Sequence, residues 1–116
     1  MAITSAICNS FKQEILVGTH NFTASSGDTF KIALYSSNSA TLSKSTTAYT
    51  APSDGTADPT NTYEVTSTSS GYTTGGNSLT NTTPVLSGDT ACCKFSDTSW
   101  GSSASFTARG CLIYNS

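Results

Sequence analysis

Residues 29 to 35 read TFKIALY, and this stretch decides the fold. Side chains of an extended chain alternate between two faces. Those of this stretch divide into Phe30, Ile32 and Leu34 on one face and Lys31, Ala33 and Tyr35 on the other. Because aromatic and β-branched residues favour strands, this period of two predicts a β-strand.

Further strands are predicted on the C-terminal side of this stretch, separated by turn-forming Gly, Asp, Asn, Ser and Pro. They are Thr46 to Thr50, Tyr63 to Ser67, Ser78 to Leu86, Thr90 to Ser96 and Ser105 to Tyr114. No second helical pattern interrupts them. The sequence therefore predicts a mainly β fold, an antiparallel β-sandwich or barrel of about six or more strands with one short N-terminal helix.

The helix is predicted over residues 3 to 17, and Gly18 ends its pattern. Its apolar stripe repeats every four residues and consists of Ile3, Ile7, Phe11 and Ile15. A helix this short is marginal alone, so its apolar side must lie on its own chain or on a neighbouring subunit. The predicted organisation is a helical anchor over residues 1–17 and a β-sandwich body over residues 18–116.

Two loops interrupt the predicted body. Residues 51 to 61 read APSDGTADPTN, with two prolines and an Asp-Gly step, and residues 71 to 76 read GYTTGG. Proline and glycine at this density favour turns and surface excursions. We therefore expect an exposed loop region over residues 51–76.

The charge of the chain is low. Charged residues are 10% of the 116 residues, against about 25% in ordinary soluble domains, and the formal net charge is -2. This excludes the electrostatic attraction that drives most binding to nucleic acids and anionic membranes. There is no apolar run of membrane-spanning length and no basic segment ahead of an apolar N-terminal stretch, so we expect a soluble protein made in a cytoplasm.

Hydroxyl side chains dominate the composition. Ser and Thr number 21 each, whereas Leu, Ile, Val and Phe together number 19. We therefore expect one domain with a thin core. Small hydroxyl side chains lose little entropy on burial and can hydrogen-bond across an interface. The composition suits packing against copies of the chain or a larger assembly, and it would equally suit an inert, solvated module.

The sequence offers no catalytic or metal-binding pattern. His20 is the only histidine, and no local motif marks a cysteine as an activated nucleophile. Asp54 and Asp58 lack the close spacing of a calcium loop, and there is no C-x-x-C pair for zinc. We expect no enzyme activity, no catalytic residue, no cofactor and no metal.

Four cysteines could form two disulfides. Cys92 and Cys93 are adjacent and would point to opposite faces of a strand, so at most one can share a core environment with Cys8 or Cys111. We expect free, largely buried thiols.

Trp100, Tyr49, Tyr63 and Tyr72 are candidates for an aromatic binding platform. Exposed aromatic side chains in β modules can stack on carbohydrate. In a chain this poor in large aliphatic residues, the same side chains also serve as core filler or subunit contacts. The sequence leaves both roles open.

Six runs, in collinear order over most of the chain, carry a family resemblance. They are CNSFKQEIL at 8–16, HNF at 20–22, DTFKIALY at 28–35, SATLSKSTTAYT at 39–50, GYTTGG at 71–76 and FTARGCLIYNS at 106–116. They resemble a family of small tailed-bacteriophage proteins that are encoded among virion structural genes. The resemblance implies a non-enzymatic virion structural protein, and most directly a capsid decoration or cement protein.

The chain departs from that family in two places. The stretch from Ala51 to Ser70 is longer than its counterpart, which implies an insertion with an exposed tip. Members of the family continue past LIYN with another strand-like run, which implies that this chain ends before a final strand. A partner would then be needed to close its sheet.

The leading hypothesis places the protein on the capsid surface of the virion, assembled in the cytoplasm of a bacterial host. There it would bind the major capsid protein and form a homo-oligomer, a dimer or a trimer, without contacting nucleic acid or membrane. The alternative is a tail-associated adaptor or a fibre-like module that binds a receptor or glycan. Candidate interface residues for these hypotheses are Ile3, Ile7, Phe11, Ile15, Tyr63, Tyr72 and Trp100.

Overall fold

The structure is a computed structural model that describes residues 5–36, 42–49, 64–65 and 70–116. This part of the chain is mainly β, with two antiparallel sheets and one short helix. Its elements are helix α1 (Asn9–Leu16) and strands β1 (Phe30–Tyr35), β2 (Asn77–Leu79), β3 (Asn81–Ser87), β4 (Thr90–Phe95) and β5 (Gly110–Asn115).

The predicted strand over TFKIALY is confirmed, and it is the centre of a three-stranded sheet. Its order is β2-β1-β5, with both pairs antiparallel. Phe30 stands opposite Leu79 on one side and Asn115 on the other. β1 is buried at Phe30, Ala33 and Tyr35, which are at most 2% exposed, so both faces of this strand are covered.

β3 and β4 form a separate two-stranded hairpin. Ser87 pairs with Thr90, and the two intervening residues are Gly88 and Asp89. Gly88 has a φ of 62°, as the first central residue of a type II′ turn requires, and this turn matches the twist of the flanking strands.

The single strand predicted over Ser78 to Leu86 is two strands in different sheets. β2 ends at Leu79 and pairs with β1, whereas β3 begins at Asn81 and pairs with β4. Asn81 holds the junction, because its side-chain amide donates to the carbonyl oxygen of Asp28 at 2.9 Å. A period of two continues through such a change of partner and cannot reveal it.

The prediction of a strand from Thr46 to Thr50 is wrong over its described residues, 46–49. A turn precedes them, in which the Thr46 amide donates to the Ser43 carbonyl oxygen at 3.0 Å. The Thr46 hydroxyl accepts a bond from the Ser43 amide, also at 3.0 Å. Local hydroxyl bonds of this kind compete with strand pairing. Thr50 lies outside the described residues.

Two other predicted strands are shorter or less complete than expected. Of Tyr63 to Ser67, the structure describes only Glu64 and Val65; Glu64 forms an isolated antiparallel bridge with Tyr35. The predicted strand from Ser105 begins as β5 only at Gly110. A sandwich or barrel of six or more strands is therefore not established by the described residues.

The helix is shorter than the predicted span of residues 3 to 17. Cys8 is extended, with φ -62° and ψ 142°, and α1 begins at Asn9. The Asn9 amide is bonded to the carbonyl oxygen of Lys44 at 2.8 Å, so a tertiary contact defines this end. Ile7 therefore precedes the helix, while Ile3 lies outside the described residues.

Aromatic rings make up most of the core. Phe22 stacks on Phe30 with centroids 4.3 Å apart, and Phe95 and Phe11 complete this cluster. A second cluster joins Tyr72, Trp100 and Phe106, with centroids 5.6 to 6.1 Å apart. The buried apolar residues of the described part are few, in accord with a thin core: Phe30, Ala33, Tyr35, Val65 and Tyr72.

The described residues of the expected exposed loop, 51–76, are of mixed burial, and Gly71 and Thr73 are exposed. Val65, Ser70 and Tyr72 are each 7% exposed or less. The stretch 71–76 does form a loop rather than a strand, but it covers the central sheet. Residues 51–61 lie outside the described residues. No helix in the described part is long and apolar enough to cross a membrane.

Candidate functional site

Glu64 is a fully buried carboxylate beside the central strand. It is 0% exposed and accepts three hydrogen bonds: from the Tyr49 hydroxyl at 2.8 Å, the Tyr72 hydroxyl at 2.7 Å and the Gly75 amide at 2.6 Å. Bonds to a carboxylate are strong, and a buried polar group with several donors orders its surroundings. This arrangement fastens the 70–76 loop to β1.

Tyrosines surround this carboxylate. Tyr49 stacks on Tyr114 with centroids 4.4 Å apart, and the Tyr114 hydroxyl donates to the Gly75 carbonyl oxygen at 2.8 Å. Burial, together with the hydrogen bond to Glu64, raises the pKa of Tyr49 and of Tyr72 far above the usual value. These phenols therefore remain neutral donors, and the cluster is suited to holding structure together.

A second polar network joins the helix to the end of β5. The Asn115 amide nitrogen lies 2.9 Å from His20 Nδ1 and 2.8 Å from an oxygen of Asp28. Because the Asn115 amide nitrogen is a donor, His20 Nδ1 is the acceptor of that bond. His20 Nε2 then carries the ring proton and donates it to Glu14 Oε2, which lies 2.8 Å away. Two hydrogen bonds lower the pKa of Asp28: the larger effect comes from the backbone amide of Asn21 and the smaller from the side-chain amide of Asn115.

A groove of about 500 Å³ runs between α1, residues 46–49 and β5. Its floor includes the His20 network, and Phe11, Leu112 and Tyr114 contribute ring and aliphatic surface. A groove of this size is within the range of ligand sites.

Both nitrogens of His20 are engaged by Glu14 and Asn115, and no cysteine is among those partners. Among the described residues, no group of three or more His, Cys, Asp or Glu side chains could hold a metal ion.

Large apolar side chains are exposed at the end of the helix. Ile15, Leu16 and Val17 follow one another and are 48%, 86% and 72% exposed. The stripe predicted on this helix is therefore divided: Phe11 packs against His20 with centroids 4.8 Å apart, whereas Ile15 faces solvent. Consecutive exposed apolar residues mark a surface that can bind protein.

The β3–β4 hairpin carries a second apolar surface. Val85 and Leu86 are 59% and 76% exposed and directly precede the turn. The base of the hairpin is held to the body by contacts that include a bond from the Ala24 amide to the Thr83 hydroxyl at 3.0 Å and the Phe95 ring in the aromatic cluster. The tip therefore stands away from the core as an arm.

The predicted interface residues do not form one surface. Ile7 and Ile15 are exposed at opposite ends of the helix region, and Phe11 is half-buried. Tyr72 is buried at 3% exposure, so it belongs to the core. Trp100 is half-buried in the same cluster, and Ile3 and Tyr63 lie outside the described residues.

Sequence reasoning missed several surface residues and the buried carboxylate. Leu16, Val17, Val85 and Leu86 were not expected at a surface, although the adjacent apolar pairs before Gly18 and before the Gly88 turn were a usable signal. For Glu64 the signal was an acidic residue inside a strand-like run.

The cysteines are free, as expected, but they are not buried. Cys8 and Cys92 are half-buried, and Cys93 and Cys111 are exposed. Cys92 and Cys93 lie in the exposed hairpin, Cys111 lies on β5 at the margin of the described sheet, and Cys8 directly precedes the helix. Partial burial still raises the pKa of the Cys93 thiol, which disfavours its reactive thiolate.

Comparison with known proteins leaves the geometry as the main source of functional information. No family model, no curated protein and no solved structure matches this chain.

Proposed function

We propose that this protein is a non-enzymatic structural component of a tailed-bacteriophage virion, a decoration or cement protein that stabilises the head shell by binding the major capsid protein. Six collinear runs of sequence resemble a family of such small virion proteins. The structural observation that carries the proposal is the placement of large apolar side chains on two exposed elements.

In the described part of the chain, large apolar residues are exposed at least as often as apolar residues are buried. In the described part, the exposed large apolar residues are Ile7, Ile15, Leu16, Val17, Val85, Leu86 and Ile113. Only Phe30, Ala33, Tyr35, Val65 and Tyr72 are buried apolar residues there. Fully burying one Val, Leu or Ile side chain is favourable by about 1.5–3 kcal/mol, so assembly offers this chain stabilisation that its own fold does not supply.

The two surfaces fit a protein that bridges subunits. The helix end, Ile15 to Val17, and the hairpin tip, Val85 and Leu86, belong to different elements and can contact different subunits of a shell. A protein that binds the assembled lattice but not dissociated subunits stabilises the lattice by linkage, by about 2.7 kcal/mol at a hundredfold excess over Kd.

The proposal extends to the architecture and location. A sandwich or barrel of six or more strands is supported by the two antiparallel sheets and by the bridge at Glu64, within the predicted strand Tyr63 to Ser67. The protein would assemble in the bacterial cytoplasm and reside on the capsid surface. Its low net charge of -2 fits a protein rather than a nucleic-acid partner.

The glycan-binding alternative has less support. Tyr72 was to be one of its contacts, but its ring is buried and its hydroxyl is bonded to Glu64. Tyr63 lies outside the described residues, and Trp100 is packed against Tyr72 and Phe106.

Particle stoichiometry tests the proposed function. Quantitative mass spectrometry of purified virions should find the chain at a copy number comparable to that of the capsid protein, on the order of hundreds, because shell sites repeat with the lattice symmetry. A ring of about a dozen copies or fewer would indicate the tail instead. Absence from purified particles would contradict both locations.

A binding experiment then tests the two apolar surfaces. Shells lacking the protein are mixed with the wild type, Leu16→Asp or Leu86→Asp, and co-sedimentation is measured. Each variant should bind at least tenfold more weakly, because a charge replaces an apolar contact. Ser103→Asp, in an exposed turn that belongs to neither element, is the matched control. Wild-type binding by both apolar variants would sink the proposed binding surface.

A further inference from the structure

One edge of strand β5 is paired with no strand of the described residues. The sheet order β2-β1-β5 places it at the margin of the described sheet. The Ser116 amide donates to the Thr29 carbonyl oxygen at 2.8 Å, which sets the alternation of bonds along the pair. The backbone groups of residues 110, 112 and 114 therefore face β1, and those of Cys111, Ile113 and Asn115 face outward.

The opposite edge of β1 agrees with this alternation. The Leu34 amide is bonded to the Tyr72 hydroxyl at 3.0 Å, and the Leu34 carbonyl oxygen accepts a bond from the Val65 amide at 2.9 Å. Both groups thus point away from β5, as they must if Ala33 and Tyr35 are the residues bonded to it. No strand among the described residues lies against the outer edge of β5.

The groove described above runs along this edge. One wall is formed by Leu112 to Ser116, and the facing wall by Cys8, Ser10 and Thr46 to Ala48. The facing elements are joined by the bond from the Asn9 amide to the Lys44 carbonyl oxygen. Because this connection bounds the far side, the space suits a single extended segment better than the edge of another sheet.

The edge also lacks the usual protection against pairing. β5 reads GCLIYN and has no proline, no lysine and no other charged residue. Ile113 is 50% exposed on it. Natural sheets protect free edges with such residues or cover them, so an uncharged edge that no described strand covers indicates a partner strand.

We propose that the groove receives residues 1–7 of a second copy of this chain, which pair with β5 as an added strand. This is recognition by β-strand addition, in which main-chain bonds give affinity and alternate side chains occupy the pocket. The inference is independent of the proposed virion function, since exchange between copies needs no shell.

The sequence of the donor segment fits an edge strand. It reads MAITSAI, with no charge and no proline, and places Ile3, Ser5 and Ile7 on one face. Seven extended residues span about 23 Å, and the six residues of β5 about 20 Å. The segment has no acidic residue that Glu14, on the groove wall, would repel.

The described part of the donor segment, residues 5–7, is available in its own molecule. Residues 5–7 are exposed and not helical, and Ile7 is 61% exposed, so they do not fill the groove beside them. The segment leads into Cys8, which itself lines the groove. Neighbouring copies can therefore exchange segments, reciprocally in a dimer or cyclically in a trimer.

Sedimentation velocity of the purified full chain tests the exchange. The wild type should form a closed dimer or trimer, and Ile7→Asp should be monomeric, because a charge enters the apolar side of the added strand. Leu16→Asp, at the other end of the helix, is the matched control and should remain oligomeric. The variant should still unfold cooperatively in urea, since Ile7 is exposed outside the helix.

Hydrogen exchange provides a readout at the edge itself. In the wild type, the amides of Cys111, Ile113 and Asn115 should exchange at least tenfold more slowly than in Ile7→Asp, while those of Leu112 and Tyr114 should be protected in both. A monomeric wild type, or an Ile7→Asp variant that stays oligomeric with these amides protected, would overturn the proposal. Neither result affects the particle stoichiometry, so the two proposals fail separately.

Discussion

Glu64 is the residue on which the covering of the central sheet depends most. It brings together Tyr49, Tyr72 and Gly75, which come from segments on either side of it in sequence. A buried carboxylate is costly unless every oxygen is bonded, and here three donors satisfy it. A short polar link therefore fastens the loop where the chain has little aliphatic side-chain volume to do so.

Replacing Glu64 tests this role. Glu64→Ala should lower the free energy of unfolding by roughly 3–5 kcal/mol, because two hydroxyls and one amide lose their acceptor in a buried site. Glu64→Gln, which keeps one carbonyl acceptor, should cost about 1–2 kcal/mol. Urea denaturation at neutral pH measures both. A Glu64→Ala variant as stable as the Gln variant would contradict the role of the acceptor.

Alkaline pH provides a second test at the residue scale. Burial is the main cause that raises the pKa values of Tyr35, Tyr49, Tyr72 and Tyr114, and the charge of Glu64 adds to it. Above about pH 10 the unfolded chain loses phenolic protons that the folded chain retains, so unfolding is favoured as pH rises.

The free energy of unfolding should therefore be level from about pH 7 to pH 9. It should fall beyond about pH 10, because the folded chain keeps phenolic protons that the unfolded chain loses. Urea titrations across this range measure the fall, and phenolate absorbance measures ionisation. If the four tyrosines ionise near pH 10 in the folded protein, the burial argument is wrong.

The hairpin shows how an element can be well formed and yet contribute little to the core. Its strands pair at the tip, where Val85 opposes Cys92 and Leu86 opposes Ala91, but of these four residues only Cys92 is half-buried and the others are exposed. The base is held by Asn81 and Phe95. The turn therefore controls the shape of the arm more than packing does.

Gly88→Ala should destabilise this hairpin. Gly88 has a φ of 62°, where an alanine side chain costs about 1 kcal/mol, although no neighbouring atom would block it. We expect faster hydrogen exchange of the amides in β3 and β4 with little change in β1. Ser102→Ala, in another exposed turn, is the control. Unchanged exchange in β3 and β4 would contradict a turn-controlled arm.

At the scale of the whole molecule, the distribution of apolar residues follows from composition. With Ser and Thr making up 42 of 116 residues, the chain can bury only a small apolar core. The surface is weakly charged and carries separate apolar areas at the helix end, the hairpin tip and the β5 edge. Contacts with other protein would bury them, and ionic contacts would contribute little.

Binding to shells should consequently depend weakly on salt. The chain has five Lys and Arg residues in total, so few ion pairs can form across any interface. Raising sodium chloride from about 0.1 M to 1 M should change the apparent Kd by less than about threefold. Co-sedimentation at both concentrations measures this. Release of the protein at high salt would show that ion pairs hold the complex instead.

The local elements were largely accessible from the sequence because their signals are local. TFKIALY was identified as a strand by its period of two, and the break before Thr90 by the turn-forming residues that precede it. The break at Thr80 was not, because a change of strand partner leaves the period intact. The late start of α1 also escaped prediction, since the Asn9 bond to Lys44 joins distant residues.

By itself the sequence determined that this protein is mainly β, weakly charged and thinly cored, because those properties depend on composition and short-range pattern. Only the tertiary structure decided that Tyr72 is core, that Glu64 joins three segments, that β5 lies at the margin of the described sheet and that the hairpin tip is exposed. These features arise from contacts between residues far apart along the chain, and the free energy of such contacts depends on which partners the fold brings together.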